Sequence, residues 1–426
     1  MKSRVSISLL VALALALAAL SSAAQYAPGD VIVTDQNSSF PSSWPLWGIT
    51  PQGKVYTVST SLSFYAWSVA PAPDNRTLWA SGKGIQGLTT ATIAPDGTIT
   101  NFHIDFNHLF TCIDVDSAGD AILGNLVNPS INKFSLVSPS TIYTLSTLYS
   151  GPPFSSIQGG GIDLATGDFV VVDSNGPNIY QVSLFPRPSV STVIARIGGI
   201  GNGLGLHADP GTGTMVGSWG SGIYRLVPGS PGILTTLKTG VGLGTLAALD
   251  RDPWDGQFVI PSWSTTSTQP AVVLRFDAAS GAITTLAQLP AIHRVMPMAA
   301  TVAGSRHLCA TGAALPGKTF SMMVSSPNEP RAFYAVAVSL SVGPGIPVGG
   351  GRRVFLTPDD LFHYSLTNSG IFSGFQGVLG GGGEAIAKMS IPSVGALSGL
   401  RFFAAVVTIQ QNQISVISDP LGVTIQ

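Results

Sequence analysis

Short apolar segments alternate with Gly- and Asp-rich turns along most of the chain, and the same pattern returns about every 40–50 residues. In the clearest copy, a segment around Ile162 is followed by Phe169–Val172 and then by Ile179–Val182. Apolar, β-branched segments of this length, bounded by Gly, Asp and Pro, predict antiparallel strands. Because each copy contains several short strands, the pattern predicts the blades of a β-propeller.

The first strand of each copy is predicted to be the inner strand of a blade. Five copies are continuous, and their inner strands begin at Ser68, Cys112, Gly161, Gly205 and Ala248. A sixth copy is divided, because Val31–Val33 lacks an inner strand and Ala299–Val302 can supply it. Sharing one blade between distant segments closes the ring and leaves no free sheet edge. We therefore predict an all-β fold with a six-bladed propeller; a seventh blade would need sequence beyond Gly304.

The pattern changes after Gly304. From Ser305 onward the apolar segments are longer, and Gly-rich loops such as Leu379–Gly383 join them. This arrangement predicts a small antiparallel β-sandwich. We therefore expect a propeller over residues 25–304 and a C-terminal accessory sandwich over residues 305–426.

The first 24 residues predict a secretory signal peptide. Lys2 and Arg4 precede an apolar run that ends at Leu20, and Ala24 completes a cleavage site of small residues. A membrane anchor is the alternative, but the run is short for a membrane span. We therefore expect export to the cell envelope or the extracellular space, with no transmembrane segment after cleavage.

Charge and cysteine content narrow the possible partners. Charged residues make up 10% of the chain and the net charge is -1, against a charged fraction of about 25% in an average domain. This composition provides no basic surface for nucleic acid. The two cysteines, Cys112 and Cys309, could form a disulfide after export or remain two buried thiols.

The repeat resembles the six-bladed propellers of the NHL-repeat and SMP-30/gluconolactonase-like group over residues 25–304. For the lactonase-like enzymes, the resemblance implies a divalent metal held by Glu together with Asn and Asp. The predicted propeller contains no Glu, since the two in the chain are Glu329 and Glu384. The C-terminal segments Ile391-Pro392, Leu400–Val407 and Ser418–Ile425 resemble an accessory or surface-association β module of large secreted bacterial proteins.

Polar side chains recur at one aligned position of the predicted inner strands. The aligned residues are Asp114, Asp163, His207 and Asp250, with Ala70 and Ala300 in the other two blades. Since inner strands surround the channel, these side chains could converge on a ligand, and three carboxylates with an imidazole suit a divalent cation such as calcium. Alternatively, each side chain bonds to the backbone of the next blade as part of the repeat.

Two main classes of function remain open. The absence of Glu from the propeller and of a recognised catalytic motif favours a secreted, non-catalytic propeller that binds a protein or carbohydrate ligand and needs no cofactor. The alternative is an extracellular hydrolase or lyase of the lactonase kind, with the four polar residues around a divalent metal. A structural component of the cell envelope is a third possibility, with residues 305–426 responsible for attachment.

Overall fold

The computed structural model describes most of the chain. It describes residues 26–35, 44–62, 64–72, 75, 77–84, 87–94, 98–105, 110–116, 119–126, 128–137, 142–173, 178–184, 189–196, 203–228, 232–242, 244–263, 269–290, 297–349, 352–367 and 370–426. The predicted signal peptide, residues 1–24, lies outside the described residues. Among the residues described, no helix is long and apolar enough to cross a membrane.

The strands up to Val302 form six antiparallel sheets in the described part of the chain, called blades 1 to 6. Blade 1 contains β1 (Val31–Asp35), β2 (Trp44–Ile49) and β3 (Val55–Leu62). Blade 2 contains β4 (Phe64–Pro71), β5 (Leu78–Gly84), β6 (Gly87–Ile93) and β7 (Ile99–Asp105). Blade 3 contains β8 (Phe110–Val115), β9 (Ala121–Asn125), β10 (Ser130–Val137) and β11 (Ile142–Ser150).

The remaining blades follow the same order from the inner strand outward. Blade 4 contains β12 (Ile157–Ile162), β13 (Phe169–Asp173), β14 (Asn178–Ser183) and β15 (Ser189–Arg196). Blade 5 contains β16 (Gly203–Asp209), β17 (Thr214–Trp219), β18 (Gly222–Val227) and β19 (Ile233–Lys238). Blade 6 contains β20 (Thr245–Leu246), β21 (Asp250–Arg251), β22 (Phe258–Trp263), β23 (Val272–Phe276) and β24 (Ile283–Gln288).

The ring is closed by a strand from the end of the repeat region. Strand β25 (Pro297–Val302) returns to blade 1 and pairs antiparallel with β1, so that Val31 lies opposite Val302 and Val33 opposite Ala300. Blade 1 is therefore shared between two distant segments. The predicted fold class, an all-β protein with a six-bladed propeller and one split blade, is confirmed.

Neighbouring blades pack through their apolar faces. Val170 and Val172 of β13 form one buried cluster with Leu206, Met215 and Trp219 of blade 5. Every residue of β13 is buried, because both faces of a blade are covered by other blades. This burial explains why the segment from Phe169 is continuously apolar instead of alternating.

The chain after Gly304 forms eleven strands and one short helix in its described part. They are β26 (Leu308–Ala310), β27 (Thr319–Ser325), β28 (Phe333–Ser339), β29 (Val342–Gly349), β30 (Arg352–Leu356), α1 (Asp360–Leu366), β31 (Phe372–Ser373), β32 (Gln376–Val378), β33 (Glu384–Ser390), β34 (Arg401–Gln410), β35 (Gln413–Ile417) and β36 (Leu421–Thr424). A 3-10 turn covers Gly395–Leu397.

Most of these strands belong to two antiparallel sheets that share a core. One sheet has the order β26-β27-β33-β31, and the other has the order β32-β28-β34-β35 with β36 also paired to β34. The rings of Phe320 and Phe402, one from each sheet, meet edge to face with centroids 5.8 Å apart. The two sheets thus form the layers of a small sandwich.

The two cysteines do not form a disulfide with each other. Cys112 lies on β8 of the ring and Cys309 lies on β26 of the sandwich, and both are buried. Burial raises the pKa of the Cys112 thiol to about 12, so this thiol stays protonated at physiological pH. The structure therefore corresponds to the alternative of two separate buried thiols.

Candidate functional site

A cavity of about 1000 Å³ lies where the central channel meets the sandwich. Inner-strand residues of all six blades line it, including Ala70, Asp114, Gly160, His207, Asp250 and Thr301. The C-terminal part of the chain supplies the rest of the wall, including Arg306, His307, Arg401, Asp419 and Thr424. The sandwich therefore lies over one end of the channel and supplies part of the wall of a cavity that stays partly open.

Three arginines join the sandwich to the ring. The side chain of Arg251, on blade 6, is 2% exposed and forms an ion pair with Asp419. Arg401 of β34 donates from Nε to the carbonyl of Leu164 at 3.0 Å, and Arg306 donates from Nη2 to the carbonyl of Val115 at 2.9 Å. Because these contacts reach blades 3, 4 and 6, they hold the sandwich over the channel from several sides.

Blade 2 contributes a fourth contact through a single side chain. Asn75 has a positive φ of 55° and is buried. Its Nδ2 donates to the carbonyl of Ser325 at 3.1 Å, and its Oδ1 accepts from the backbone N–H of Arg306 at 2.7 Å. Asn tolerates the left-handed conformation better than most residues, which suits it to this turn.

Backbone hydrogen bonds of the turn after each inner strand define which residues are equivalent between blades. In blade 3 the N–H of Asp116 closes the turn by donating to the carbonyl of Asp120 at 2.8 Å. The same bond runs from Asp163 to Asp168 in blade 4, at 2.9 Å, and from Asp252 to Gln257 in blade 6, at 2.8 Å. Asp163 therefore corresponds to Asp116 and Asp252. The position of Asp114 and Asp250 lies two residues earlier, which is Gly161 in blade 4.

The predicted position of Asp163 is therefore wrong by two residues, and Asp163 is not among the residues that line the cavity. Its side chain caps its own turn, accepting from Ala165 N at 3.1 Å and from Thr166 Oγ1 at 2.8 Å. A shift of two residues keeps every side chain on the same face of a strand, so the apolar pattern could not detect it.

The split blade needs a smaller correction. The backbone N–H of Ala303 donates to the carbonyl of Asp30 at 2.9 Å and takes the place of the turn bond in the other blades. Thr301, two residues earlier, is thus the equivalent of Asp114, and the predicted Ala300 is one residue away. The observed ring position consists of Ala70, Asp114, Gly161, His207, Asp250 and Thr301.

Asp114 and Asp250 make the same set of bonds at this position. One oxygen of each accepts from the next N–H of its own chain, at 2.7 Å from Val115 and 2.7 Å from Arg251. The other oxygen accepts from an inner-strand N–H of the next blade, at 2.8 Å from Ile162 and 2.9 Å from Val302. Each carboxylate thereby joins two blades, as the structural alternative predicted.

His207 and Asp250 form a close pair in the cavity wall. His207 Nε2 lies 2.8 Å from Asp250 Oδ1, and its Nδ1 lies 3.0 Å from the carbonyl oxygen of Ala208. Both neighbours are acceptors, so both ring nitrogens must donate, which requires the imidazolium form. Burial lowers the pKa of His207, but the charge of Asp250 outweighs burial and raises the pKa to about 9.

The four predicted site residues therefore do not assemble as a metal centre. The structure brings His207 and Asp250 together, with Asp114 near enough to favour the charged imidazole, and it turns Asp163 away. Within the described residues, no group of three or more His, Cys, Asp or Glu side chains is placed to hold a metal ion. Hydrogen bonding and electrostatic contacts are the chemistry that His207, Asp250 and Asp114 offer, and apolar side chains such as Ile113 and Leu249 line the same cavity.

The sequence interpretation missed the residues from the sandwich and one from the ring. Arg306, His307, Arg401 and Asp419 belong to the cavity wall but lie outside the repeat, so no repeat position could point to them. Arg251 lies within the repeat, directly after Asp250, so of these residues it is the one that the alignment of repeats could have indicated. Its burial beside Asp419 depends on the docked sandwich.

No family model and no curated protein matches the chain. A chain of the crystal structure of the nidogen/laminin complex is similar, with a TM-score of 0.51, 13% identity, and coverage of 64% of this chain and 98% of that chain. At this identity the likeness is one of fold. The chain is a β-propeller protein.

Two further structures are similar at lower scores. TolB from Acinetobacter baumannii has a TM-score of 0.45 and 14% identity, with coverage of 70% of this chain and 73% of TolB. A proposed gluconolactonase has a TM-score of 0.41 and 14% identity, with coverage of 55% of this chain and 87% of that chain.

Proposed function

We propose that this protein is an exported, non-catalytic binding propeller whose ligand occupies the cavity between the ring and the C-terminal sandwich. The observation that carries this proposal is a cavity of about 1000 Å³ with walls from all six blades and from the sandwich. Ligand pockets in proteins commonly have volumes of about 300–1000 Å³. The C-terminal sandwich is, in this proposal, part of the binding site.

The bonding of the polar side chains supports binding over catalysis. A general base needs a lone pair within reach of the proton that it removes. Both nitrogens of His207 donate to protein acceptors, and both oxygens of Asp114 and of Asp250 accept from backbone N–H groups. The imidazolium of His207 therefore has no lone pair to offer, and each of the two carboxylates is engaged in joining neighbouring blades.

The N-terminal sequence supports export, with Lys2 and Arg4 before an apolar run and Ala24 at a cleavage site. The state of Cys112 is compatible with an oxidising compartment. A buried thiol with a raised pKa has little thiolate and reacts slowly with oxidants.

A substitution that fills the cavity tests the binding proposal. Ala165 lies in the turn capped by Asp163 and lines the cavity, so Ala165→Trp places an indole in the proposed site. Ala279 occupies the same kind of turn, with its N–H 2.9 Å from Asp277 Oδ1, but it is not part of the cavity wall. Ala279→Trp is therefore a matched control.

Wild type and both variants would be measured by thermal shift and titration calorimetry. The compounds would be calcium chloride, neutral sugars, sugar acids, amino sugars and nucleosides. We expect at least one compound to bind the wild type and Ala279→Trp, and to bind Ala165→Trp at least tenfold more weakly. The proposal is refuted if no compound binds, or if binding to Ala165→Trp is unchanged.

A further inference from the structure

The sandwich and the ring do not share an apolar core. In the described residues, every cluster of buried apolar side chains lies wholly within the ring or wholly within the sandwich. Among the same residues, no strand of the ring pairs with a strand of the sandwich, and no backbone hydrogen bond joins the two parts. Domains are expected to move relative to each other unless their interface is large and hydrophobic. The sandwich is therefore a separate unit that rests on the ring.

The chain passes from the ring to the sandwich once, through the link at residues 303–307 between β25 and β26. Gly304 in this link has a positive φ of 68°, and a Cβ at this position would collide with Pro28. Residues 305–307 belong to no helix or strand. A short irregular segment that contains a glycine can absorb changes in φ and ψ, as hinges do.

Blades 1 to 3 hold the link itself. Asn75 of blade 2 accepts from the N–H of Arg306 at 2.7 Å and donates to the carbonyl of Ser325 at 3.1 Å. Ser325 in turn donates from its backbone N–H to the carbonyl of His307, at the end of the link. Arg306 also donates to the carbonyl of Val115 of blade 3. Contacts this close to the link change little when the sandwich rotates about it, so they form the hinge side.

The body of the sandwich contacts the opposite half of the ring. Arg401 donates from Nε to the carbonyl of Leu164 of blade 4 at 3.0 Å, and its Nη1 lies in the space that a side chain at Gly167 would occupy. Burial lowers the pKa of Arg401 to about 10, although Asp163 and Asp168 of the same turn favour its charge. Because desolvation offsets much of the attraction that a buried charge experiences, water can replace such a contact at a modest cost.

Blades 5 and 6 provide a second contact of this kind. Arg251 of blade 6 forms its ion pair with Asp419 and lies over the ring of Phe355, 4.8 Å from the centroid. A Cβ on Gly211 of blade 5 would lie 3.1 Å from the same ring. In a ring of six blades, blades 4 to 6 lie opposite blades 1 to 3. The contacts of Arg251 and Arg401, here called the closing contacts, thus lie across the channel from the hinge side.

We propose that the sandwich is a hinged cover of the central channel, which rotates about Gly304 and Asn75 and is held closed by Arg251 and Arg401. Opening widens access to the cavity from the side of blades 4 to 6. That a ligand enters in this way rests on the proposed binding function, whereas the rotation itself does not. A ligand that contacts both the ring and the sandwich binds the closed state better and shifts the population toward it.

The combined variant Arg251→Met and Arg401→Met removes both closing contacts. Met is unbranched and apolar, so it keeps much of the length of the arginine side chain without its charge or its donors. The side chain of Asp419, which loses its partner, is 27% exposed and can be hydrated. The variant therefore leaves no buried charge unpaired at this contact.

The matched control is the combined variant Arg225→Met and Arg353→Met, which again removes one arginine from each part. Arg225 donates to the carbonyl of Ala278 at 3.0 Å, within the ring. Arg353 donates to the carbonyl of Pro344 at 2.9 Å, within its own hairpin of the sandwich. Neither bond crosses between the two parts.

Pulsed electron paramagnetic resonance would measure the distance between the two parts. Spin labels would be attached at Thr235→Cys on β19 and Lys388→Cys on β33, which are exposed, while the native Cys112 and Cys309 are buried. Loss of one charge-assisted contact is expected to raise the ratio of open to closed molecules about tenfold, and loss of both about a hundredfold. We expect one dominant distance in the wild type and the control. In the variant without closing contacts, a second, longer distance is expected in at least about a tenth of the molecules.

Gly167→Asn disturbs the Arg401 contact from the ring side. Asn tolerates the φ of 78° at this position, and its side chain would displace the guanidinium of Arg401. Gly281→Asn is the matched control, because Gly281 has a φ of 71° and open space around its Cβ position. Both glycines donate to the carbonyl four residues earlier, that of Asp163 at 2.7 Å and that of Asp277 at 2.8 Å. Combined with Arg251→Met, Gly167→Asn replaces the first variant if thermal unfolding shows that Arg401→Met does not fold.

The outcomes separate the hinged cover from the binding proposal. A single, unchanged distance in the folded variants without closing contacts overturns the cover and leaves the binding function, which Ala165→Trp tests, as it stands. A longer distance in the control variants as well overturns the assignment of Arg251 and Arg401 as closing contacts. If the variants open as expected but no compound binds the wild type, the cover stands and the binding function fails.

Discussion

The ion pair between His207 and Asp250 joins blades 5 and 6, and its contribution to stability is expected to depend on pH. The informative change is His207→Gln, since the Gln side chain can still donate a hydrogen bond toward Asp250 but carries no charge. Asp250 also keeps its bonds to Thr301 Oγ1 at 2.6 Å and to Val302 N at 2.9 Å. The substitution thus removes the charge while leaving the carboxylate partly satisfied.

The magnitude follows from the pKa of His207. Folding raises this pKa from an ordinary value of 6.5 to about 9, because the attraction of Asp250 outweighs burial. The difference corresponds to about 3 kcal/mol of folding free energy. Because the folded pKa is raised, the stabilisation is fully present below pH 6.5. It is lost progressively as the pH rises from 6.5 through 9.

Urea unfolding of wild type and His207→Gln at several values from pH 6 to pH 9.5 measures this effect. Groups that titrate in both proteins cancel in the difference between their free energies of unfolding. That difference is expected to shrink by about 3 kcal/mol from the lowest to the highest pH. His363→Gln is the control, because His363 is exposed on α1 of the sandwich.

A pH-independent difference between wild type and His207→Gln would refute the reasoning. It would mean that His207 is not held as an imidazolium by Asp250, and that its two hydrogen bonds are made in another protonation state.

Gly161→Ala is expected to lower the free energy of unfolding by about 2–3 kcal/mol, because a Cβ there would lie 2.2 Å from the backbone oxygen of Leu206. Gly381→Ala is the control, since its Cβ would meet nothing within 4 Å; equal urea midpoints for the two variants would contradict the prediction. Burial lowers the pKa of His307 from 6.5 to about 4, so the wild type should lose about 3 kcal/mol of unfolding free energy as the pH falls from 6.5 toward 4. His307→Asn should lack this loss, and unfolding free energies that fall in parallel with pH in the two proteins would contradict the prediction. Asp419→Ala leaves the buried Arg251 without its carboxylate and is expected to destabilise the fold by about 3–5 kcal/mol in thermal unfolding. Asp255→Ala is the control: it removes the more exposed of two carboxylates that pair with Arg275, leaves Asp252 in place, and should cost under about 1 kcal/mol.

The architecture of the ring could be predicted because it depends on patterns between residues that are close in the sequence. Apolar strands with Gly and Asp turns recur along the chain, and the missing inner strand of blade 1 was visible at Ala299–Val302. The register within blade 4 could not be predicted. Ile162-Asp163 looks like Ile113-Asp114, but a slip of two residues preserves both the facing of side chains and the apolar pattern.

The candidate site was predictable only in part. His207 and Asp250 lie at equivalent repeat positions and do meet across two blades. Their bonds to Ala208, Val302 and each other depend on how closely neighbouring inner strands approach, which the sequence of one blade does not contain. Gly161 illustrates this point, because the backbone of the next blade occupies the space of a side chain.

The sequence by itself determined the strands, the six copies of the repeat and the sharing of one blade, because hydrophobic periodicity and turn chemistry act between residues close in the chain. Tertiary structure alone decided that the sandwich docks over the channel and that Arg251 meets Asp419, 168 residues away. Contacts of this kind arise from the packing of whole elements, and no local pattern encodes them. The cavity exists only because both parts of the chain are brought together there.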